Sequence, residues 1–198
     1  MAVPRPAQFE AKPQLFGDPA ALRLSVWPAE GHKRVFVYLQ PGAPIFERVA
    51  ERLAESGHSV LWVAPGVTAN AARRFESAQF KFMREPVRLS DAAEQADVAL
   101  LHGGHGTVSA MLLAGVPVAV FPLHAEQGLI ARNVERMGAS IAASVTPDAR
   151  EVETLLERIL TEPRYTQHAE SFAACYRLYD PRETVSRIAQ RIGRYCAS

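Results

Sequence analysis

The sequence is poor in cysteine and has no long apolar run, no dominant sign of charge and no repeat. Its two cysteines among 198 residues, Cys175 and Cys196, sit in separate helical patterns and read as reduced thiols, not as a disulfide or metal framework. No apolar run approaches the roughly 20 residues needed to cross a bilayer, which argues against a membrane span. The opening MAVPRPAQFEAKPQLFGDP carries an arginine and prolines but no apolar core, so it is not read as a secretory signal. Basic residues number 22 and acidic ones 21, a balance that disfavours a duplex nucleic-acid partner, which demands a basic face. No low-complexity tract or heptad seam interrupts the chain. What remains is a globular composition, 48% hydrophobic and 22% charged, at a length that suits one domain.

Prolines at positions 4, 6, 13, 19 and 28 and the lack of a period make residues 1–32 an irregular leader or interdomain linker, in which Phe16 and Trp27 are expected to pack on the domain surface. Residues 33–198 then alternate in character. Apolar, β-branched and aromatic runs predict strands at 35–39, 59–64, 80–83, 98–101, 118–121 and 140–143. Between them, spacings of three and four predict helices over 45–53 and 71–75, from Ser90 or Asp91 to Ala96, and from Glu126 or Gly128 to Met137, and past the last strand come helices opening at Thr146 and Pro147, at Tyr165, and at Asp180-Pro181-Arg182-Glu183. Such alternation is the pattern of an α/β protein: a single Rossmann-like, doubly wound parallel sheet of about six strands, with helices on both faces and further helices at the C-terminus.

The stretch VALLHGGHGTVSAMLLAGVPVAVFPLHAEQ, from Val98 to Gln127, concentrates the chemistry. A strand passes into His102, Gly103, Gly104, His105 and Gly106 before a helix expected to open at Thr107. Glycines allow close backbone approach to a ligand, and a helix start attracts anions through its N–H groups. With strand order 3-2-1-4-5-6, the loops after the first and fourth strands, residues 40–44 and 102–106, diverge at the switch point. A phosphate there is expected to meet the amides of Gly106, Thr107 and Val108, the Thr107 hydroxyl, and His102 as a donor. The fifth strand delivers His124, Glu126 and Gln127, read as the end of a loop, to the same edge. A tight structural connection, or a zinc site built from His102, His105, His124 and Glu126 in a metal-dependent hydrolase, is the alternative reading of these residues.

HGGHGT at His102 to Thr107, GVP at Gly115 to Pro117, and Glu126-Gln127 resemble, in order and spacing, the donor signature of the UDP-glycosyltransferase superfamily, inverting enzymes of two facing Rossmann-like domains known as the GT-B fold. The resemblance implies the C-terminal, donor-binding half of such an enzyme. His102 would contact the donor diphosphate and the turn from Gly104 to Thr107 would cradle it, with Gly103 and His105 in the same loop, although the family pattern leaves the His105 position open. Glu126 and Gln127 would bind sugar hydroxyls, and Val87 would meet the nucleobase through its backbone. Relatives place a Glu eight residues after the motif His to hold the ribose, where this chain has Ala110.

The implied reaction is transfer from a UDP- or dTDP-sugar with no obligatory metal and no cofactor. The base and acceptor pocket would come from an N-terminal acceptor domain in cis or a partner subunit in trans. A cytoplasmic protein is expected, free or peripheral to the inner face of the membrane, with no transmembrane segment. A nucleotide-sugar binding or regulatory module without chemistry is the alternative.

Overall fold

The computed structural model describes residues 23, 24 and 27–196. Six strands, β1 (Arg34–Tyr38), β2 (Ser59–Val63), β3 (Phe80–Met83), β4 (Val98–Leu101), β5 (Val118–Val120) and β6 (Ser140–Ala142), form one parallel sheet in the order β3-β2-β1-β4-β5-β6. The helices that connect them are α1 (Phe46–Ala54), α2 (Ala69–Phe75), α3 (Leu89–Gln95), α4 (His105–Leu113) and α5 (Ala125–Glu135). After β6 come α6 (Ala149–Thr161), α7 (Pro163–Cys175) and α8 (Pro181–Cys196). The six-stranded doubly wound order and the helices on both faces are those expected from the alternation of apolar runs.

Because side chains alternate across a strand, the central strands feed two separate cores. Val35 and Val37 of β1, Val60 and Trp62 of β2, and Val98 and Leu100 of β4 face one side, where they meet Val49 and Leu53 of α1 and Val152 and Leu156 of α6. Phe36, Leu61, Ala99 and Leu101 face the other, against Ala92 of α3, Val108 and Met111 of α4, and Ala131 of α5. Strands buried on both faces lack the polar alternation of a half-exposed sheet, which is why short continuous apolar runs mark them in the sequence. On the first side Trp62 is enclosed by aromatic rings, at 4.6 Å from Phe46 and 5.4 Å from Phe82 between centroids. Its indole N–H donates to the Leu39 carbonyl at 3.0 Å and so pins the start of the loop after β1.

Several element ends differ from expectation by a residue or two, and two differ for a reason. The helix α6 begins at Ala149, not at Thr146 and Pro147, because Asp148 caps it by accepting from the Glu151 amide at 2.8 Å. The helix α7 runs over Pro163–Cys175 instead of opening at Tyr165, with the proline at its first position, where a missing N–H costs nothing. Asp180 does cap α8, accepting from the Arg182 amide at 2.8 Å. Trp27 is buried, and its indole N–H donates to the Ser59 carbonyl at 3.3 Å. Phe16 lies outside the described residues. Among those residues no helix is long and apolar enough to cross a membrane.

Candidate functional site

Parallel register places Tyr38, Leu101 and Val120 in one row across the ends of β1, β4 and β5. The segments that follow must leave from the same edge, so residues 39–44, 102–104 and 121–124 are neighbours there as a consequence of pairing. This is the switch point, where β1 lies beside β4 and the connections turn to opposite faces.

The turn after β4 is fixed by glycine. Gly103 has φ +95°, a conformation that side chains with a Cβ rarely adopt, and a Cβ placed there would come within 3.0 Å of Val120 Cγ1, 3.2 Å of Gln127 Cβ and 3.3 Å of the Gln127 carbonyl. The close approach ties the glycine turn directly to the first turn of α5. Gly104 is the residue before α4, and α4 opens at His105, two residues earlier than expected. Its first intrahelical bond runs from the Val108 amide to the Gly104 carbonyl at 3.0 Å. The amides that precede that bond, and so point out of the helix, are those of His105, Gly106 and Thr107; Val108 is therefore not part of an anion cradle, contrary to expectation. At its other end α4 closes in a Schellman motif, with Gly115 at φ +76° and amides of Gly115 and Val116 bonded to the carbonyls of Leu112 and Met111. GVP is thus the stop signal that sends the chain into β5.

His102 is half-buried beside this helix start. Its Nδ1 lies 2.9 Å from the Tyr38 carbonyl, and the Tyr38 ring packs against it with centroids 5.1 Å apart. A carbonyl only accepts, so Nδ1 carries hydrogen. The pairing joins residues 64 apart in sequence, and no local pattern could have indicated it.

Glu126 and Gln127 do not end a loop; they lie in the first turn of α5, which opens at Ala125. Their roles separate by burial. Glu126 is exposed, whereas Gln127 is 8% exposed and its Oε1 accepts from the Leu123 amide at 2.7 Å. Gln127 thus fixes the connection after β5 through one end of its amide group. His124, just before α5, and His105, at the start of α4, are exposed. Val87 precedes α3, and its side chain is buried in the core. Ala110 lies on α4, half-buried.

The charge of the site follows from this list: three imidazoles, two helix starts and one carboxylate, an environment suited to an anion. Among the described residues no three His, Cys, Asp or Glu side chains gather into a group able to hold a metal ion. His58, at the opposite end of the sheet, has its pKa lowered by burial and by the nearby His32 and Lys33.

Residues 82–190 match the family described as erythromycin biosynthesis protein CIII-like, C-terminal domain. The elloramycin glycosyltransferase ElmGT of Streptomyces olivaceus is 38% identical over 93 residues, 46% of this chain and 23% of that protein. A sterol 3-beta-glucosyltransferase of Vanderwaltozyma polyspora is 32% identical over 77 residues, 39% of this chain and 6% of that one. Among solved structures, glycosyltransferase VinC in complex with dTDP superposes with a TM-score of 0.66 at 20% identity, covering 88% of this chain and 49% of VinC. Os79 from O. sativa in complex with UDP gives 0.62 at 18%, covering 72% of this chain and 36% of Os79. The chain spans less than half the length of each of these relatives. It belongs to the erythromycin biosynthesis protein CIII-like C-terminal domain family, the C-terminal domain of glycosyltransferases of the GT-B fold.

Proposed function

We propose that this domain binds the diphosphate of a UDP- or dTDP-sugar at the start of α4 and serves as the donor half of an inverting glycosyltransferase. The observation that carries the reading is the row Tyr38, Leu101 and Val120, which sends the glycine turn, His102 and the start of α5 out of one sheet edge. A diphosphate on the amides of His105, Gly106 and Thr107 would lie beside the His102 ring, with the Thr107 hydroxyl as a further donor. Exposed Glu126, in the first turn of α5, would accept from hydroxyls of the sugar. VinC with dTDP and Os79 with UDP, which share this fold, support the choice of ligand class.

Chemistry follows from the same groups. As the bond from the anomeric carbon to the diphosphate breaks, negative charge gathers on the departing oxygens, and preorganised amides with an imidazole oppose it without a metal being required. Attack needs an acceptor oxygen aimed at the opposite face of that carbon and a base to take its proton, and both contribute large rate factors. No residue at this edge is assigned that role; we place the base and the acceptor pocket in an acceptor half supplied in cis or in trans. The cysteine-poor sequence suits the cytoplasm.

The purified domain is expected to bind nucleotide sugar with negligible transfer, and to become active when an acceptor half is added or fused. Transfer to an added acceptor at an ordinary enzymatic rate, with no second polypeptide detectable by mass spectrometry, overturns the division of labour. Binding that never leads to transfer with any acceptor half favours the second reading, a nucleotide-sugar binding module, to which Ala110 in place of the ribose-holding acid points.

A further inference from the structure

We infer that His102 recognises the donor as an imidazolium, so that nucleotide-sugar binding takes up one proton, and that the Tyr38 carbonyl is the positioning group that enforces this. The inference rests on the donor-site reading above and adds to it a protonation state that the fold itself dictates.

The step is one of hydrogen-bond bookkeeping. Nδ1 of His102 lies 2.9 Å from the Tyr38 carbonyl oxygen, which has no hydrogen to give. Whether the ring is neutral or charged, the hydrogen of that bond sits on Nδ1. In the neutral ring Nε2 is then a lone pair. Nε2 faces the helix start: it lies 3.7 Å from the position a Cβ on Gly104 would take, the residue that precedes α4. The Tyr38 ring, tilted 59° to the imidazole with centroids 5.1 Å apart, packs the histidine against the end of β1.

A donor diphosphate offers acceptors only. Against a neutral ring, an oxygen near Nε2 would meet lone pair with lone pair and lose a hydrogen bond to water without replacement. Against the imidazolium the same approach forms a charge-assisted bond, roughly twice as strong as a neutral one. The ligand therefore selects the charged ring. Other titratable groups on the surrounding elements are Tyr38 on β1, His105 at the start of α4, and His124 and Glu126 at the start of α5. His105 and His124 are exposed, and among the described residues neither has a fixed backbone acceptor of the kind that the Tyr38 carbonyl gives His102.

Linkage sets the size of the effect. Uptake of one proton means that affinity falls as pH rises, by up to about tenfold per unit on the alkaline side. UDP-glucose and dTDP-glucose are the probes, because their diphosphate is esterified at both ends and has no proton to gain near neutrality. Calorimetry at about pH 8, in buffers of different ionisation enthalpy, counts the protons, and this is the range in which an ordinary histidine starts neutral. We expect uptake approaching one proton per nucleotide sugar. His102→Gln supplies a neutral N–H near the place of Nε2, and it should bind with no uptake and a flat pH profile, while His105→Asn and His124→Asn keep the uptake. Nitrogen NMR of the wild-type imidazoles reads the same step without any substitution. It should show hydrogen on Nδ1 alone of His102 in the free protein at that pH and on both nitrogens in the complex. Binding without proton uptake, uptake that survives in His102→Gln, or an Nε2 that stays bare in the complex overturns the inference and leaves the donor site standing. No binding of either nucleotide sugar overturns the donor site, and the inference with it.

Discussion

Gly103 is the residue on which the site's geometry depends most, and Gly103→Ala tests this with a single methyl group. Its backbone sits at φ +95°, and holding a residue with a Cβ in a left-handed conformation costs about 1 to 2 kcal/mol. The new Cβ would also come within 3.0 Å of Val120 Cγ1 and 3.3 Å of the Gln127 carbonyl. The first belongs to a strand paired on both sides and the second to the backbone of α5, so neither can swing aside, and crowding of this kind adds about 1 to 3 kcal/mol. The sum is a loss of about 2 to 5 kcal/mol, read as a lower urea midpoint at unchanged slope. Gly106→Ala is the internal control, since nothing lies within 4 Å of a Cβ there and the residue is in the first turn of α4. Helix propensity should make it neutral or slightly more stable, by up to about 1 kcal/mol. A Gly103→Ala protein as stable as the wild type, or both variants destabilised alike, would refute the reasoning.

Gln127→Ala removes the acceptor held 2.7 Å from the part-buried Leu123 amide, and chemical denaturation should show about 1 kcal/mol less stability. His58 has its pKa lowered from about 6.5 by burial first, then by the charges of His32 and Lys33, and its Nδ1 is buried without a partner. Since the unfolded chain binds that proton more readily, stability is present above the unfolded value and is lost as pH falls from about 6.5 towards the lowered folded value; thermal melts of His58→Gln should be flatter across that window. Ala110→Glu should increase discrimination between ribose and deoxyribose forms of the nucleotide in competition binding, because a carboxylate on that face of α4 can pair with the sugar hydroxyls; an unchanged preference in the folded variant refutes this.

The strands were legible because burial on both faces turns each into an unbroken apolar run, and Phe80–Met83 and Val98–Leu101 have in the structure the bounds they have in the sequence. The sheet order followed from alternation and the handedness of the connections. Helix starts were harder. His105 and Gly106 look like loop residues, yet the first turn of a helix tolerates glycine because its amides have no partner to lose, so α4 begins before Thr107. The start of α5 was open between Glu126 and Gly128 for a related reason: the residue before α5, His124, makes no side-chain cap, and the stabilising contact comes from Gln127 to the Leu123 amide instead. Tyr38 was read only as part of a strand, since its contact with His102 depends on the pairing of β1 with β4 and on nothing local.

Calorimetric titration with UDP and dTDP, with and without chelator, tests the donor site most directly. Binding of at least one nucleotide is expected regardless of chelator. Thr107→Val should weaken it by about 1 to 3 kcal/mol, the worth of a hydrogen bond to a charged group, and Cys175→Ser, on exposed α7 surface, should leave it unchanged. No heat with either nucleotide, or binding that depends on added zinc, would contradict a diphosphate held at the start of α4.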